Sequence, residues 1–290
     1  MPRTLHRATV NGLSRLGSSR SIALALAVAV AALSVAPARA QDEVPFITTP
    51  DHVTLAMLQL AGVGPADHVI DLGSGDGRIV ITAARRFGAS GLGVEIVPDL
   101  VRLSREHAAK AGVQSRVDFR QQDLFATDLA RATVVTLYLL PAVNLQLRAR
   151  LLALAPGTRI VSHDWDMGDW KPERTLSLEV PDKAVGRDKR SLVHLWRVPA
   201  RVQGLWCAPG AELELTQRFQ EFSATLRMAG QAVAAAVFDG RIEARTLQAL
   251  PPQVARLVLE GEHLRLQVAP TGGELAQGLS FRPAAAATCG

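Results

Sequence analysis

The chain has 290 residues, nearly half of them apolar and a fifth charged, enough for one large or two modest cored domains and too apolar for a disordered chain. Its net charge of +5 equals the five arginines within residues 1–41, Arg3, Arg7, Arg15, Arg20 and Arg39, where no acid occurs. The remainder is near neutral, so the basic pI gives no ground for a nucleic-acid-binding surface.

Residues 21–36, SIALALAVAVAALSVA, form an apolar run behind a basic stretch, and Ala38-Arg39-Ala40 follows with small residues at the two decisive positions. This predicts a signal peptide (residues 1–40) cleaved after Ala40, and an exported, periplasmic chain. The rival reading is an uncleaved membrane anchor; the run is shorter than the roughly 20 residues a spanning helix needs. Gln41 to Pro50 is an extended lead-in, since Pro45 and Pro50 disfavour helix. Asp51 is positioned to cap a helix bearing Val53, Leu55, Met57, Leu58 and Leu60. Thr48-Thr49-Pro50 reads as a turn before that helix or as a lid segment over a ligand.

Next comes VIDLGSGDGR, Val69 to Arg78: a buried strand, a glycine turn and a helix start. Gly73, Gly75 and Gly77 give GxGxG rather than the GxGxxG of dinucleotide sites, with Ser74 between them and the acids Asp71 and Asp76 on either side. Two carboxylates repel a pyrophosphate and favour a ligand carrying an ammonium and a sulfonium, which is the charge pattern of S-adenosylmethionine (SAM). A helix is expected to about Phe87, then a strand over 91–96 ending in Glu95, an acid placed to accept from ribose hydroxyls. Pro98 opens the next helix. A third strand over 117–123 ends in Asp123-Leu124, where the acid reaches an adenine amino group and the leucine covers the ring. A buried strand over 133–140 stops at Pro141; a helix follows, then a strand over 159–164. Segments 175–180 and 191–198 read as a final antiparallel pair. The alternation predicts a doubly wound α/β sheet occupying 41–200, with Asp71, Glu95, Asp123, Tyr138 and Asp164 at strand ends, where such sheets bind ligands.

From about Gly204 short strands dominate: 211–220, 223–228, 231–238, a turn at Asp239-Gly240, 241–247, 256–259 and 263–268. These predict a small antiparallel sheet or barrel domain of roughly 80 residues over 204–290. It reads either as a substrate-capturing or docking module or as a stabilising appendage. Cys207 and Cys289 frame it; in an oxidising compartment a disulfide between them would add about 4–5 kcal/mol in the chain-entropy model, and in the cytoplasm they are free thiols. The seven histidines lack metal-ligand spacing, and no metal is expected.

Residues 45–170 resemble the class I, seven-strand SAM-dependent methyltransferases, through DLGSGDGR (71–78), GVEI (93–96), QQDL (121–124) and VVTLYLLP (134–141). With PFITTP (45–50), the resemblance narrows to a protein-lysine methyltransferase group that includes the mitochondrial enzymes acting on the ATP synthase c subunit and the adenine nucleotide translocator. It implies a Rossmann-like methyltransferase sheet, SAM as cofactor, a cofactor role for Thr49 and Pro50, and a protein substrate, which an exported chain would meet as an envelope or membrane protein. Tyr138 and Asp164, with His163, are the candidates for the acceptor channel, on position alone. Asp164 to Trp170 is acidic and aromatic; its tryptophans either attract an ammonium by cation–π contact or pack the sheet rim. Two other readings stand beside this one: an exported SAM- or nucleoside-binding protein without catalysis, acting as sensor or scaffold, and a methyltransferase for a small molecule. SAM is made in the cytoplasm, so the leader and the cofactor point to different compartments.

Overall fold

The computed structural model describes residues 47–183, 188–286, 288 and 289. The leader, Pro45 and Phe46 lie outside the described residues. Five parallel strands and one antiparallel pair make a seven-stranded sheet in the order β3-β2-β1-β4-β5-β7-β6. The strands are β1 His68–Leu72, β2 Ser90–Glu95, β3 Val117–Gln121, β4 Val134–Leu137, β5 Arg159–His163, β6 Arg174–Glu179 and β7 Arg190–Arg197. Helices α1 Asp51–Leu60, α2 Arg78–Phe87, α3 Pro98–Lys110 and α4 Pro141–Leu151 cover the sheet.

Successive residues of a strand point to opposite faces, so an all-apolar strand feeds two cores. Val69, Val134 and Val161 join Val53, Met57, Ile79 and Ala83 of α1 and α2 on one face. Ile70, Val135 and Ile160 join Leu147 and Leu151 of α4, with Trp170 and Trp196, on the other. Chain order runs outward from β1 to β3 and then from β4 to β7, so the β1/β4 boundary is the switch point where a crevice opens beyond the strand ends.

Several boundaries differ from the sequence expectation, for local reasons. Asp51 is the first helical residue rather than the cap: Pro50 holds that place and its carbonyl accepts from Thr54 N. Strand β4 ends at Leu137, leaving Tyr138, Leu139 and Leu140 as a turn into α4. Strand β3 stops at Gln121, because Asp123 caps a 3-10 turn, Leu124–Ala126, by accepting from Phe125 N at 2.8 Å. Trp170 is 1% exposed and packs near Trp196, so it is a core residue; Trp165 is 41% exposed.

The C-terminal strands close into an eight-stranded barrel: β8 Gly204–Ala208, β9 Ala211–Arg218, β10 Glu221–Met228, β11 Ala236–Glu243, β12 Thr246–Ala249, β13 Arg256–Glu260, β14 His263–Val268 and β15 Ser280–Pro283. Inward positions alternate with outward ones, as in β11, where Ala236, Phe238 and Ile242 are buried. The expected turn at Asp239-Gly240 is not one. Strand β11 runs straight through it, because a Cβ at Gly240 would lie 2.3 Å from the Phe222 ring; the glycine makes room for that ring. The chain reverses instead between Glu243 and Thr246, with Ala244 at φ 53°. Gly240→Val should therefore cost about 3 kcal/mol or more by overpacking, read as a lowered or lost thermal transition. The barrel meets the sheet domain at its β9–β10 end, where Gln220 Nε2 donates to Lys171 O at 2.9 Å and Phe219 stacks on Trp170. Cys207 of β8 and Cys289 have Cα atoms 5.5 Å apart, the spacing that a disulfide requires.

Candidate active site

The glycine turn is built by the strand beside it. The N–H groups of Gly73 and Ser74 both donate to Val94 O at 2.9 Å, which folds the turn over the end of β2. Gly77, at φ 81°, caps α2, and a Cβ there would lie 2.8 Å from the Phe119 ring. Glu95 closes the loop from the neighbouring strand: one carboxylate oxygen accepts from Gly75 N at 3.0 Å, and the other from Ile96 N and Val97 N at 2.8 and 3.1 Å. A single side chain thus holds the turn and the entry to α3 in fixed relation. Ile96 and Val97 stay 63% and 44% exposed beside it, an apolar surface that the sequence reading passed over.

Asp71 lies at the heart of this arrangement, 2% exposed, accepting from Thr136 Oγ1 of β4 at 2.7 Å. Burial is the main force raising its carboxyl, the Thr136 bond works against it, and the charges of Glu95 and Asp76 add to it; the result is pushed up to about 7. Asp76 behaves differently. Burial alone would raise it, but both its oxygens accept from the Arg78 guanidinium, at 2.7–3.2 Å, and that pairing holds it below the usual carboxylate range. Its charge is therefore matched by the chain's own cation. Arg78 also donates to Thr49 O at 2.8 Å, tying the lead-in segment to the glycine turn. That tether was missed from sequence; the signal was an arginine directly after GDG.

Thr49 is buried, and its Oγ1 lies 3.1 Å from His163 Nδ1, whose Nε2 lies 2.9 Å from Ser191 Oγ. Burial is the main cause lowering the His163 imidazole to about 4, so it is neutral and can donate to one hydroxyl while accepting from the other. Tyr138 stacks on that ring at 4.0 Å and is itself half-buried, its phenol raised by burial and by Asp164. Thr49→Val should leave one ring nitrogen unpaired and cost about 1–3 kcal/mol, with loosened Tyr138 and a lower turnover in a methyl-transfer assay. Asn144 of α4, fully buried, donates to Ser162 Oγ, Trp165 O and Asp166 O and so fixes the turn after β5. Nothing in the sequence marked it.

The structure brings Asp71, Asp76 and Glu95 within electrostatic reach of one another around the turn. It groups Thr49, Tyr138, His163 and Asp164 at the ends of β4 and β5. Asp123 is exposed at the end of β3, one oxygen occupied by its turn, and Leu124 beside it packs on the core. A separate cavity of about 260 Å³, lined by Leu152, Pro199, Arg201, Gln203, Gln217 and Phe219, adjoins the barrel and carries no acid or nucleophile. No cluster of three metal-ligating side chains occurs among the described residues.

The donor set fits a cationic nucleoside. Carboxylates stand at the ends of three adjacent strands, one acid is raised chiefly by its burial and further by its acidic neighbours, and Ser74 Oγ is buried beside the turn without a partner. The turn packs closely on the segment after β4: Gly73 sits at φ 79°, and a Cβ there would lie 2.9 Å from Leu139.

Comparison with known proteins agrees. A model of the ANTKMT methyltransferase domain matches residues 71–174. A protein-lysine N-methyltransferase of Saccharolobus islandicus is 41% identical over 138 residues, covering 47% of this chain and 86% of that protein. The adenine nucleotide translocase lysine N-methyltransferase of Mus musculus is 37% identical over 110 residues, 38% of this chain and 48% of that one, so the match spans about half of the mammalian protein. The crystal structure of an RNA methyltransferase from Salinibacter ruber with S-adenosyl-L-homocysteine is 51% identical, covers 54% of this chain and 96% of that chain, and has a TM-score of 0.49.

Proposed function

This chain belongs to the ANTKMT-type family of SAM-dependent methyltransferases, and from that premise we propose that its acceptor is the side-chain amine of lysine in a protein. The observation that carries the reading is the Thr49–His163–Tyr138 stack, built at the strand ends next to the cofactor turn by a segment outside the sheet. When bound, SAM supplies an electrophilic methyl on a sulfonium. The chain's part is positioning, with a route for the amine's proton. In this reading Glu95 holds the ribose hydroxyls, Asp123 and Leu124 hold the adenine, and Ile96 extends the apolar flank. Asp71 offsets the positive charge of the donor through the turn. Thr49 and Pro50 close the lead-in over the site, tethered by Arg78. Tyr138 lines the acceptor channel and Asp164 meets the incoming ammonium.

The apolar stretch at 21–36 and the small residues before position 41 support export, and the Cys207–Cys289 pair supports an oxidising compartment. An envelope or membrane protein is then the substrate.

The test is methyl labelling of cell fractions with radiolabelled SAM and purified protein, followed by mass spectrometry of the labelled band. Methylated lysine in an envelope protein is the expected result; label confined to small molecules or RNA would overturn it. Tyr138→Phe and Asp164→Asn should keep SAM affinity and lose turnover, and unaltered rates in both would remove them from the mechanism. Thiol titration of periplasmic material should find none free without reductant and two with it.

A further inference from the structure

Asp164 follows β5 in a backbone conformation that an L residue rarely adopts, φ 63°. Its own N–H donates to Leu192 O at 2.7 Å, and one carboxylate oxygen accepts from Leu192 N at 3.0 Å. Those two bonds to β7 lock the side chain, so the second oxygen, Oδ2, is presented in a fixed direction. That oxygen accepts from an ammonium of the chain itself: Lys183 Nζ lies 2.9 Å away, and the same nitrogen donates to Arg190 O at 2.6 Å. Lys183 comes from the connection between β6 and β7 and is mostly covered, its side chain 15% exposed. The acceptor pair, one carboxylate oxygen and one carbonyl, sits beside His163 and within electrostatic reach of the Tyr138 phenol.

We infer that Asp164 Oδ2 and the Arg190 carbonyl form an ammonium subsite, and that Lys183, which fills it, is an intramolecular competitor that an acceptor lysine must displace. The inference rests on the lysine acceptor proposed above and adds the regulation of that site. Two acceptors at fixed positions match the donors of an alkylammonium. Docking of the acceptor there is a ground-state contact: the amine loses its proton before transfer, and Lys183 stays unmethylated while it remains a bound ammonium. A tethered competitor lowers apparent acceptor affinity without touching the cofactor turn.

The probe is n-butylammonium, titrated by calorimetry into the full chain. Lys183→Met should raise its affinity about fivefold or more over the parent chain, the gain expected from removing one partly exposed ion pair and its second bond. Adding Asp164→Asn to that variant should abolish the gain. Equal affinity in parent and Lys183→Met, or no binding in either, overturns the subsite. The methyl-labelling experiment separates the two claims: label absent from protein lysine defeats the acceptor reading whatever n-butylammonium does, whereas retained SAM binding in Lys183→Met shows that the variant is folded. In a protein-lysine assay Lys183→Met should lower KM for the acceptor by a similar factor with kcat little changed, and an unchanged KM also overturns the competitor.

Discussion

Glu95→Ala should weaken SAM binding by about 100-fold while the thermal transition moves by only a few degrees. The carboxylate has two jobs. It accepts from Gly75 N, Ile96 N and Val97 N, which sets the glycine turn against the start of α3. In the proposed complex it also accepts from ribose hydroxyls. Each charge-assisted bond lost costs about 1.5–3 kcal/mol, and two at the lower end of that range, about 3 kcal/mol together, account for roughly that factor. The stability cost is smaller because two of the three N–H groups, those of Ile96 and Val97, lie near solvent and can find water, their residues being 63% and 44% exposed; only that of the buried Gly75 is left without one. Glu95→Gln isolates the charge: it keeps the size and one acceptor and should fall between the parent and the alanine variant. Calorimetry with SAM at fixed salt, alongside melting curves, reads both quantities. An alanine variant with unchanged affinity would remove Glu95 from the cofactor site.

The second large effect carries opposite signs on stability and on binding. The Asp71 carboxyl is pushed up to about 7 in the folded chain from an ordinary value of 3.8, chiefly because it is buried. A raised carboxyl means the folded state holds the extra proton between those values. Its contribution to stability is therefore lost as pH rises through about 4 to 7, leaving an ionised carboxylate in the interior at pH 8. Asp71→Asn keeps an acceptor for Thr136 Oγ1 and removes that charge, so it should raise stability at pH 8 by on the order of 2–4 kcal/mol. Below pH 4 the gain should vanish. The imidazole of His163 runs the other way: lowered to about 4, mainly by burial, it contributes stability above 6.5 that is lost as pH falls toward 4. In the parent chain the two slopes oppose each other between pH 4 and 6.5; in Asp71→Asn the His163 slope is no longer opposed by that carboxyl. SAM affinity should respond inversely. A cationic ligand favours ionised Asp71, so parent affinity should climb about tenfold from pH 6 to 8, and the variant should bind weakly with a flat profile. Melting and calorimetry across pH 4–9 test both halves, and parallel curves for the two proteins would refute the assignment. The pattern is that of a functional residue retained against stability.

These effects trace to features of unequal visibility in the chain. The glycine turn and the acids Asp71, Glu95 and Asp123 could be placed because a parallel strand must end, turn and enter a helix within a few residues, and such local geometry leaves a local signature. The methyltransferase sheet followed from the alternation of strand and helix, and its two faces from the unbroken apolar runs of β1, β4 and β5. The Arg78–Thr49 tether did not, since it joins residues 29 apart whose meeting depends on where the lead-in lies over the turn. His163 could be put forward for the acceptor channel on position alone; only packing by Thr49, Ser191 and Tyr138 makes it a neutral pivot. Lys183 gave no sign at all, because its partner is a carboxylate aimed by another strand.

The C-terminal half divides the same way. Alternating strands announced an antiparallel sheet, but closure into a barrel is a property of the last pairing, β15 with β8, between segments at the two ends of the module. No window of sequence contains that pairing. Asp239-Gly240 had the composition of a turn and serves as strand, because Phe222 needs the space that a missing Cβ provides. Local chemistry, then, dictated which segments are strands and which strand ends carry carboxylates. Contacts between distant segments decided which of those charges remain free: Arg78 claims Asp76, Lys183 claims Asp164, and Asp71 is left in the interior with a hydroxyl. The reason is physical, since a charge is set by residue type, whereas its desolvation and its partner are set by what the fold brings beside it.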